Sequence, residues 1–435
     1  MTIGIDLSPL QSHHRLRGIG YTLINFINGL DENERAKHTF IFFVMPYEGT
    51  DFGNPLDLLN VEGLNYSVRQ IKPSKKSRLK LPGRLNMLIS VYNNLIEIRD
   101  LYFGDSRIAQ LNDLDVFLQM DQTQSLPRKR RLKKILIIYD IIPYSVEWDY
   151  LWSYKTARRK RGFSRKAALR VVVRRWLYAF KIKINIRRAD RLLAISEQTK
   201  QDFKRDLNYA DKKINVQPLG VNPPTSDPHG ESRQLHQYKK TSWGYMERLL
   251  MLSSDTPFVL FVGGADRRRK LEDLVTAFNR LRAQGKELKL VLAGDSMQGP
   301  ANVATEEIQY ALKTSSYLDD IIFMGFVNDD ERDWLYKNAL AFVFPSRYEG
   351  FGLPVLEAMI HSCPVISYKN GATQEVAEDL PIYVDNAIEL GDAILKLMES
   401  SKAERDELRR AGVKHAQKYS WQKTASQVLS TLEKL

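Results

Sequence analysis

The sequence predicts an α/β protein made of two doubly wound, Rossmann-like domains that face a cleft. The chain has 435 residues, more than a single hydrophobic core usually supports. In both halves, short apolar runs alternate with segments of helical apolar spacing, which is the pattern of parallel strands joined by crossover helices. A stretch rich in proline and glycine at residues 218–224 separates the halves. We therefore predict an N-terminal domain over residues 1–220 and a C-terminal domain over residues 221–419.

Composition indicates a globular protein in a reducing compartment. Hydrophobic residues make up 43% of the chain and charged residues 27%, and no apolar run approaches the roughly 18–20 residues that span a bilayer. The segment Met1–Asp6 enters a predicted strand without a preceding basic stretch, so we expect no signal peptide. Cys363 is the single cysteine and cannot form an internal disulfide. The net charge of +13 predicts an anionic partner.

Apolar runs in the N-terminal half predict the strands of a parallel sheet. The run at residues 135–142 is rich in β-branched residues and too apolar for an edge, so we place it centrally. Ser196 is expected to cap the helix that follows the next strand. The strands are predicted at residues 3–7, 40–45, 116–118, 135–142, 190–195 and 214–221, and the helices at residues 21–30, 85–101, 169–184 and 197–207.

The C-terminal half repeats this alternation of strands and helices. Its strands are predicted at residues 258–262, 288–293, 321–327, 339–344 and 363–367. Its helices are predicted at residues 231–252, 271–282, 329–336, 354–360, 389–399 and 402–418. Residues 421–435 have the apolar spacing of a final amphipathic helix.

Residues 345–359 carry the strongest functional signal. A buried strand is expected before Pro345, and Pro354 suits the first turn of the following helix, because its missing N–H is not needed there. Between them, Gly350 and Gly352 allow the backbone to approach a ligand closely. A strand, a glycine loop and a helix N-terminus together present N–H groups to an anion.

The same stretch contains two carboxylates, Glu349 and Glu357. One interpretation is that they stabilise the positive end of the helix dipole. The alternative is that they accept hydrogen bonds from the hydroxyl pairs of a sugar or a ribose.

A second glycine turn opens the C-terminal half. Gly263 and Gly264 end a predicted strand, and the four cations at residues 267–270 precede the next helix. Cations at a helix N-terminus oppose the helix dipole, so this arrangement favours a bound anion over a basic turn without a ligand.

The N-terminal half offers two weaker candidates. Gly18 and Gly20 lie between the first strand and its helix, where they form either an anion-binding loop or a plain tight turn. Asp140 ends the central apolar run, and ligands of open α/β sheets bind beyond the carboxyl ends of strands. Its alternative role is to cap a helix or turn. Asp113 and Asp115 form an Asp-x-Asp pattern, but they precede a strand, and the seven histidines are scattered, so we assign no metal.

Residues 155–188 are rich in Lys and Arg and contain no acid. A second basic cluster lies at residues 128–134. Apolar residues within the first segment are spaced to form one face of a helix: Leu169, Val172, Val173, Trp176, Leu177, Phe180 and Ile184. Three interpretations are a solvated helix surface, a nucleic-acid site and an anionic membrane surface. No nucleic-acid-binding module is recognisable, so we favour the membrane and expect no nucleic acid.

The run from Glu349 to Ala358 resembles the paired-glutamate motif of retaining GT-B glycosyltransferases, specifically glycosyltransferase family 4. Three further segments are similar to motifs of that family: residues 263–270 to Gly-Gly-x-Asp-x-Arg-Lys, residues 189–200 to Ala-Asp-x-Leu-Leu-Ala-x-Ser-x-x-Thr-Lys, and residues 371–376 to Gly-Gly-x-x-Glu-Val. The resemblance is sharpest from Phe258 to Glu375. It implies that the helix at residues 420–435 packs back onto the first domain.

The resemblance also implies roles for single residues. Arg268 and Arg269 would hold the donor diphosphate, with Lys270 as the alternative to Arg269 at the family's lysine position. Glu357 would bind the ribose and Glu349 the transferred sugar, while Tyr139 stands where the family often has a histidine. The implied catalytic residues are Arg268, Arg269, Glu349 and Asp140. The implied donor-binding residues are Gly18, Gly20, Gly263, Gly264, Lys270, Gly350, Phe351, Gly352, Leu353, Glu357 and Thr373.

The expected function is that of a metal-independent, retaining glycosyltransferase (hexosyl or deoxyhexosyl) in polysaccharide biosynthesis. Its donor would be a nucleotide-diphosphate sugar, used as a substrate with no separate cofactor, and its acceptor a glycan or a lipid-linked glycan. The basic segments place it in the cytoplasm, peripheral at the inner face of the membrane. The alternatives are a GT-B sugar-nucleotide epimerase and a non-catalytic basic protein that binds anionic polymers or membranes.

Overall fold

A computed structural model describes most of the chain. The described residues are 1–12, 14–15, 18–46, 53–72, 85–142, 146, 153–159, 162–207, 214–224, 252, 256–303 and 305–435. Arg17, Lys160, Arg161 and all but the last residue of the helix predicted at 231–252 lie outside them. The chain divides into two compact units, Met1–Gly220 with Trp421–Leu435, and Val221–Ser420.

The first unit contains a parallel sheet of seven strands. They are β1 (Thr2–Asp6), β2 (Thr39–Val44), β3 (Asn65–Gln70), β4 (Val116–Gln119), β5 (Lys133–Ile138), β6 (Arg191–Ala194) and β7 (Ile214–Val216). Their spatial order is β3-β2-β1-β4-β5-β6-β7. The order reverses between β1 and β4, and such a switch point is where open α/β sheets bind ligands.

Helices connect these strands. They are α1 (Gly18–Asn28), α2 (Glu32–Lys37), α3 (Leu85–Phe103), α4 (Tyr154–Arg159), α5 (Arg165–Arg188) and α6 (Glu197–Leu207), with short 3₁₀ turns at Ser8–Gln11 and Pro55–Leu58. One core cluster joins Leu136 and Ile138 of β5 to Ile182 and Ile186 of α5 and Phe203 of α6. The sheet is therefore packed on helices through fully buried aliphatic and aromatic side chains.

Two features of this unit differ from the sequence prediction. β3 was not expected, because its residues are mostly exposed and polar, as befits an edge strand. The central strand β5 ends at Ile138 instead of continuing to residue 142. The backbone of Tyr139 turns away from the sheet ladder, since its N–H donates to the side chain of Gln122 (2.9 Å) and its carbonyl accepts from Thr199 (2.8 Å).

The apolar face predicted for the basic helix is not its buried face. The buried residues of α5 are Ala168, Ile182, Asn185 and Ile186. The amide of Asn185 donates to the carbonyls of Gln122 and Gln124, at 3.1 and 2.8 Å. These two hydrogen bonds fix the rotation of the helix about its axis. The consequence is that three residues of the predicted stripe, Leu169, Val173 and Trp176, are exposed, and its other four members are only partly buried.

The second unit contains a parallel sheet of six strands. They are β8 (Phe258–Val262), β9 (Lys289–Ala293), β10 (Ile321–Gly325), β11 (Ala341–Phe344), β12 (Val365–Tyr368) and β13 (Ile382–Val384). Their spatial order is β10-β9-β8-β11-β12-β13, so the switch point lies between β8 and β11.

The helices of the second unit cover both faces of this sheet. They are α7 (Leu271–Ala283), α8 (Glu306–Lys313), α9 (Asp329–Asn338), α10 (Leu353–Ile360), α11 (Gly371–Ala377), α12 (Ala387–Glu399) and α13 (Lys402–Ala416), with 3₁₀ turns at Arg267–Arg269, Pro300–Asn302 and Leu318–Asp320. The predicted strands and helices that fall within the described residues of this unit are present, with ends that differ by a few residues; the helix predicted at 231–252 stays untested. The short elements α8, α11 and β13 were not predicted, because their apolar spacing extends over too few residues to stand out.

The last helix, α14 (Trp421–Glu433), packs on the first unit. The Trp421 ring contacts the Tyr21 ring edge to face, with centroids 5.9 Å apart. Gln427 accepts a hydrogen bond of 2.8 Å from Gln217, and Glu433 pairs with Lys37 at 2.5 Å. None of the helices in the described part of the chain is both long and apolar enough to cross a bilayer.

Candidate functional site

The candidate site lies at the switch point of the second sheet. The chain leaves β8 through Gly263 and Gly264 into the arginine turn, and it leaves β11 through residues 345–352 into α10. β8 and β11 are hydrogen-bonded neighbours, so the two loops meet beyond the carboxyl ends of their strands. The sequence motifs of the C-terminal half therefore come together at the position where this fold binds ligands.

Arg268 and Glu349 form the centre of the site. The Arg268 guanidinium contacts the Glu349 carboxylate and donates to the Tyr348 carbonyl at 2.7 Å. Ser346 donates to the same carboxylate at 2.9 Å. Only 6% of Arg268 and 8% of Glu349 is exposed. This buried pair joins the loop after β8 to the loop after β11, and the joint is strengthened by a hydrogen bond from the Arg347 N–H to the Arg268 carbonyl (2.9 Å).

Arg269 lies beside this pair. Its Nε is 3.3 Å from Glu349, its Nη1 donates to the Gly264 carbonyl at 3.3 Å, and its guanidinium carbon lies 5.8 Å from the centre of the Phe344 ring. A Cβ at Gly263 would lie 2.3 Å from Arg269 Nη1, and Gly263 has a φ of +147°. The φ angle favours glycine at this position, and any side chain there would also displace the Arg269 guanidinium from its place beside Glu349.

The two arginines keep Glu349 ionised. Burial acts to raise the pKa of its carboxyl, but the charges of Arg268 and Arg269 and the Ser346 hydrogen bond outweigh burial, so the pKa lies below its ordinary value. The more exposed Asp266 also lies 3.5 Å from Arg268 Nη2, so the two guanidinium groups face two carboxylates, of which only Glu349 is buried. Two guanidinium groups held side by side in a water-poor site at a switch point suit an anionic ligand.

Lys270 is placed apart from this cluster. It has a left-handed backbone, with φ +41°, and its ammonium group pairs with Glu272 at 2.9 Å. Of the two alternatives for the family's lysine position, Arg269 is the residue that the structure brings next to Arg268 and Glu349.

Gly352 begins the helix that follows the glutamate loop. Its φ of +97° is a conformation that other residues adopt only with strain, and Pro354 occupies the first turn as the sequence predicts. Phe351 is buried with its ring 6.2 Å from the Tyr419 ring, so its backbone is the part available to a ligand. Leu353 is the first residue of α10.

Thr373 adjoins Gly352 from the next loop. A Cβ on Gly352 would lie 3.3 Å from Thr373 Oγ1, a buried hydroxyl with no hydrogen-bond partner among the described residues. Asn370 links the two loops, because it accepts from the Thr373 N–H and donates to the Ser346 carbonyl, both at 2.9 Å. Sequence reasoning missed Ser346 and Asn370, although both are polar residues directly after predicted strands.

Glu357 belongs to a neighbouring set of charges. It is buried on α10, and burial raises the pKa of its carboxyl despite the charges of Arg332 and His361. The His361 ring lies 2.7 Å from the carbonyl of Glu357 and 2.7 Å from the Asp333 carboxylate. The contact with Asp333 connects α10 to α9. The Arg268–Glu349 pair instead connects the loop that precedes α10 to the loop after β8.

The predicted glycines of the first unit have different surroundings. A Cβ at Gly20 would lie 2.5 Å from the carbonyls of His14 and Arg15, so this glycine is needed for the chain's own packing. Gly18 is the first residue of α1 and has open space where a Cβ would be. Of the two, Gly18 is the position with room for a ligand.

Asp140 caps a turn after β5. Its carboxylate accepts from the Ile142 N–H at 2.9 Å, and its carbonyl accepts from Gln122. Tyr139 is buried, and its hydroxyl has no hydrogen-bond partner among the described residues; burial raises the pKa of Tyr139, so this side chain stays neutral. The capping role that the sequence left open for Asp140 is therefore present in the structure.

The first sheet holds further polar residues at its own switch point. The Asp6 carboxylate accepts from the Ser8 N–H (2.9 Å) and from Gln119 (3.1 Å), and burial raises the pKa of Asp6. Asp121 is fully buried and accepts from Thr123 through one oxygen. Sequence reasoning missed these acids; the signal available was their position at the carboxyl ends of β1 and β4.

The two acids of the Asp-x-Asp pattern have structural partners. Asp113 pairs with Arg69, and Asp115 accepts from the N–H of Thr2 at 2.7 Å. Within the described residues, no group of three or more His, Cys, Asp or Glu side chains is placed to hold a metal ion.

These observations define a class first. Two parallel, doubly wound sheets with a polar switch point in each unit make this a two-domain, Rossmann-like α/β protein, the fold of GT-B glycosyltransferases. The structure is similar over its whole length to sucrose-phosphate synthase from Thermosynechococcus elongatus, with a TM-score of 0.65, 17% identity and 98% of that chain covered. It is also similar to HepE from Anabaena in complex with UDP-glucose, with a TM-score of 0.63, 15% identity and both chains fully covered.

Sequence comparison then gives the domain family. Residues 250–418, which lie within the second unit, match the family model of glycosyl transferases group 1. This match agrees over these residues with the resemblance predicted from the sequence. The chain is 27% identical to the serotype-specific mannosyltransferase WbdA of Escherichia coli over 98% of its own length and 47% of that protein. The chain spans about half the length of the relatives it matches.

Proposed function

We propose that the chain is a glycosyltransferase of family 4 that moves a sugar from a nucleotide-diphosphate sugar to an acceptor hydroxyl, with retention at the anomeric carbon. The observation that carries this proposal is the cluster of Arg268, Arg269 and Glu349 at the switch point of the second sheet. It combines two adjacent guanidinium groups with a buried carboxylate that stays ionised. A sugar diphosphate has the matching parts, an anionic diphosphate joined to a ring of hydroxyl groups.

Different residues of the site bind different parts of the donor. Arg269, whose guanidinium is the less buried of the two, binds the diphosphate, and Arg268 holds Glu349 and the glutamate loop in position. Glu349 accepts from sugar hydroxyls, and the N–H groups at the start of α10 face the departing charge. Glu357 binds the ribose, and the free hydroxyl of Thr373 supplies a donor close to Gly352.

The reaction breaks the bond between the anomeric carbon and the diphosphate oxygen and forms a bond between that carbon and the acceptor oxygen. The acceptor proton passes to the leaving diphosphate. Catalysis comes from positioning and from the two guanidinium groups, which stabilise the negative charge that develops on the leaving group. No metal ion or separate cofactor is part of this proposal.

The proposed acceptor is a glycan or lipid-linked glycan, used at the inner face of the membrane by a peripheral, cytoplasmic enzyme. The support is the acid-free basic segment at residues 155–188. In the first unit, Gly18, Asp140 and the acids Asp6 and Asp121 at its switch point are the polar groups available to an acceptor.

A donor panel tests the proposal. The protein is incubated with UDP-, GDP-, ADP- and dTDP-sugars, and release of nucleoside diphosphate is measured. Mannose and glucose donors come first, because the similar proteins are a mannosyltransferase and a protein in complex with UDP-glucose. One donor should be turned over. Arg269→Gln should lower that turnover by about 100-fold, the usual effect of removing one charge-stabilising group.

Arg280→Gln on α7 is the matched control, because Arg280 is a half-exposed arginine that pairs with Asp392 away from the cluster. It should keep normal turnover. Isomerised donor without diphosphate release would instead indicate an epimerase. Binding of anionic polymers without turnover of any donor would indicate the non-catalytic alternative, and either result would contradict the proposal.

A further inference from the structure

The outer side of helix α5 carries a stripe of apolar side chains that the fold leaves uncovered. Leu169, Val173 and Trp176 are 59%, 47% and 58% exposed. Their spacing places them on one side of the helix, away from the buried residues Ile182 and Asn185. Scattered exposed apolar residues are ordinary, whereas a contiguous stripe marks a contact surface.

Helix α3 lies beside α5 and carries exposed apolar side chains of its own. Leu95, Tyr102 and Phe103 are all more than half exposed. The two helices are joined by an ion pair between Lys181 and Glu97. We call Leu95, Tyr102, Phe103, Leu169, Val173 and Trp176, with the exposed cations around them, the α3–α5 surface.

Exposed cations lie next to the apolar stripe. Lys166, Arg170 and Arg174 are exposed on α5, and α5 itself contains no acidic residue. On α3 the acids Glu97 and Asp100 are already paired, with Lys181 and Arg99. The surface therefore combines uncovered apolar area with a positive charge that its own acids do not neutralise.

We propose that the α3–α5 surface binds anionic lipid bilayers, with the apolar stripe at the boundary between headgroups and acyl chains and the arginines at the lipid phosphates. A helix with Lys and Arg on one side and Leu and Trp on the other lies in this plane of a membrane. Trp is enriched at the same depth. The inference rests on the proposed function in one respect, since a lipid-linked acceptor explains why the enzyme would be at a membrane.

A nucleic acid is the other polyanion to consider. It would neutralise the same arginines, but it would leave Leu169 and Val173 in water, because contacts to a phosphate backbone need no apolar partner. The uncovered apolar area therefore favours the bilayer. The two partners also differ in their response to salt: a bilayer contact retains its apolar part when salt screens the charges, and a backbone contact does not.

Cosedimentation with vesicles tests the surface on the full chain. Vesicles of phosphatidylcholine alone should bind weakly, and vesicles containing phosphatidylglycerol should bind strongly. Arg170→Gln with Arg174→Gln should weaken that binding about fivefold per residue removed at low salt. Arg410→Gln with Lys414→Gln is the matched control, since both residues are exposed on α13 of the second unit. The control should bind as the unmodified chain does.

A second variant isolates the apolar stripe. Leu169→Ser, Val173→Ser and Trp176→Ser together should abolish the part of vesicle binding that survives high salt. All three positions are exposed, so the fold should be retained, which circular dichroism checks. Subtracting the emission spectrum of Trp176→Phe from that of the unmodified chain isolates the emission of Trp176. That emission should shift to the blue on vesicles and be quenched by brominated lipid. Unchanged salt-resistant binding of the triple variant would overturn the proposal, as would preferential binding to duplex DNA.

Donor turnover without vesicles separates this inference from the proposed function. All these variants should retain it, because their substitutions lie outside the donor cluster. Turnover without vesicle binding would overturn the α3–α5 surface and the proposed membrane location, and it would leave the proposed transfer from a nucleotide-diphosphate sugar standing. Vesicle binding without turnover of any donor would support the surface and overturn the proposed function.

Discussion

The two sheets share a strand order around their switch points, yet the side chains at the two points differ in kind. In the second unit, two arginines surround one ionised glutamate, and burial is outweighed by their charge. In the first unit, buried Asp6 and Asp121 are held by hydrogen bonds from amide, hydroxyl and backbone groups. The same topology thus carries an arginine-rich switch point in one unit and a buried, hydrogen-bonded pair of acids in the other.

The largest effect expected from this comparison is on stability. Arg268→Ala removes the closest cation from Glu349, which is buried, and should lower the free energy of unfolding by roughly 3–5 kcal/mol, as is usual for an ion pair broken on one side. Urea unfolding measures it. Arg268→Met with Glu349→Leu removes both charges and should recover most of the loss. A loss under about 1 kcal/mol for the single variant would mean that the pair is not the joint between the two loops.

Glycines provide the next contrast. Gly352→Ala forces a side chain into a left-handed conformation and should cost about 1–2 kcal/mol. Gly18→Ala, at a helix start with open space, should leave stability unchanged or raise it by about 0.5–1 kcal/mol. Thermal unfolding of both variants compares them. Equal destabilisation would contradict the distinction between a strained glycine and an unhindered one.

Opposite pH dependence is a smaller but sharper test. Glu349 has a lowered folded-state pKa, so its contribution to stability is present above the unfolded-state pKa of about 4 and is lost as the pH falls through the folded-state value. The free energy of unfolding of Glu349→Gln should therefore fall furthest below that of the unmodified chain near neutral pH, and the difference should be smallest in acid. The urea midpoint of both proteins, followed from about pH 3 to about pH 8, gives the difference.

Asp6 should behave in the opposite sense. Its folded-state pKa is raised, so the stability of the protonated form is present below the unfolded-state pKa and is lost as the pH rises through the folded-state value. The free energy of unfolding of Asp6→Asn should accordingly increase relative to that of the unmodified chain as the pH rises. If the stability differences of Glu349→Gln and Asp6→Asn changed with pH in the same direction, the electrostatic contrast between the two switch points would be contradicted.

The smallest effect is expected at Tyr139. Its hydroxyl is buried without a hydrogen-bond partner among the described residues, so Tyr139→Phe should change the free energy of unfolding by less than about 1 kcal/mol and leave nucleotide binding unchanged. Calorimetric titration with the nucleoside diphosphate, together with urea unfolding, measures both. Weaker nucleotide binding by this variant would show that the first unit takes part in holding the anion.

Much of the fold followed from local pattern. Buried strands such as β8 and β11 are continuous apolar runs bounded by glycine or proline, and these runs are visible in the sequence because both faces of a parallel sheet are covered. The edge strand β3 was missed because its side chains are mostly exposed. The rotation of α5 was missed for another reason: Asn185 sets it through backbone carbonyls 61–63 residues away, which no helical periodicity records.

The residues of the candidate site likewise fall into those that local sequence indicates and those that only tertiary contacts bring together. Arg268, Arg269 and Glu349 were predictable because glycines and charges cluster at two strand ends, and the sheet order then brings them together. The connection made by Ser346 and Asn370 depends on hydrogen bonds between loops. The acids Asp6 and Asp121 stand alone in the sequence and become a pair only when β1 and β4 lie side by side. Which residues of the site contact a donor stays a prediction.

The position of α14 has a consequence for biogenesis. Tyr21 lies in the first helix of the chain, yet its edge-to-face neighbour Trp421 leaves the ribosome after all of residues 221–420. Synthesis of the first unit therefore begins before that of the second unit and ends after it, because the second unit is inserted in its sequence. During that interval α1 exposes the apolar surface that α14 later covers, which makes the nascent chain a candidate for chaperone protection until residue 433 has emerged.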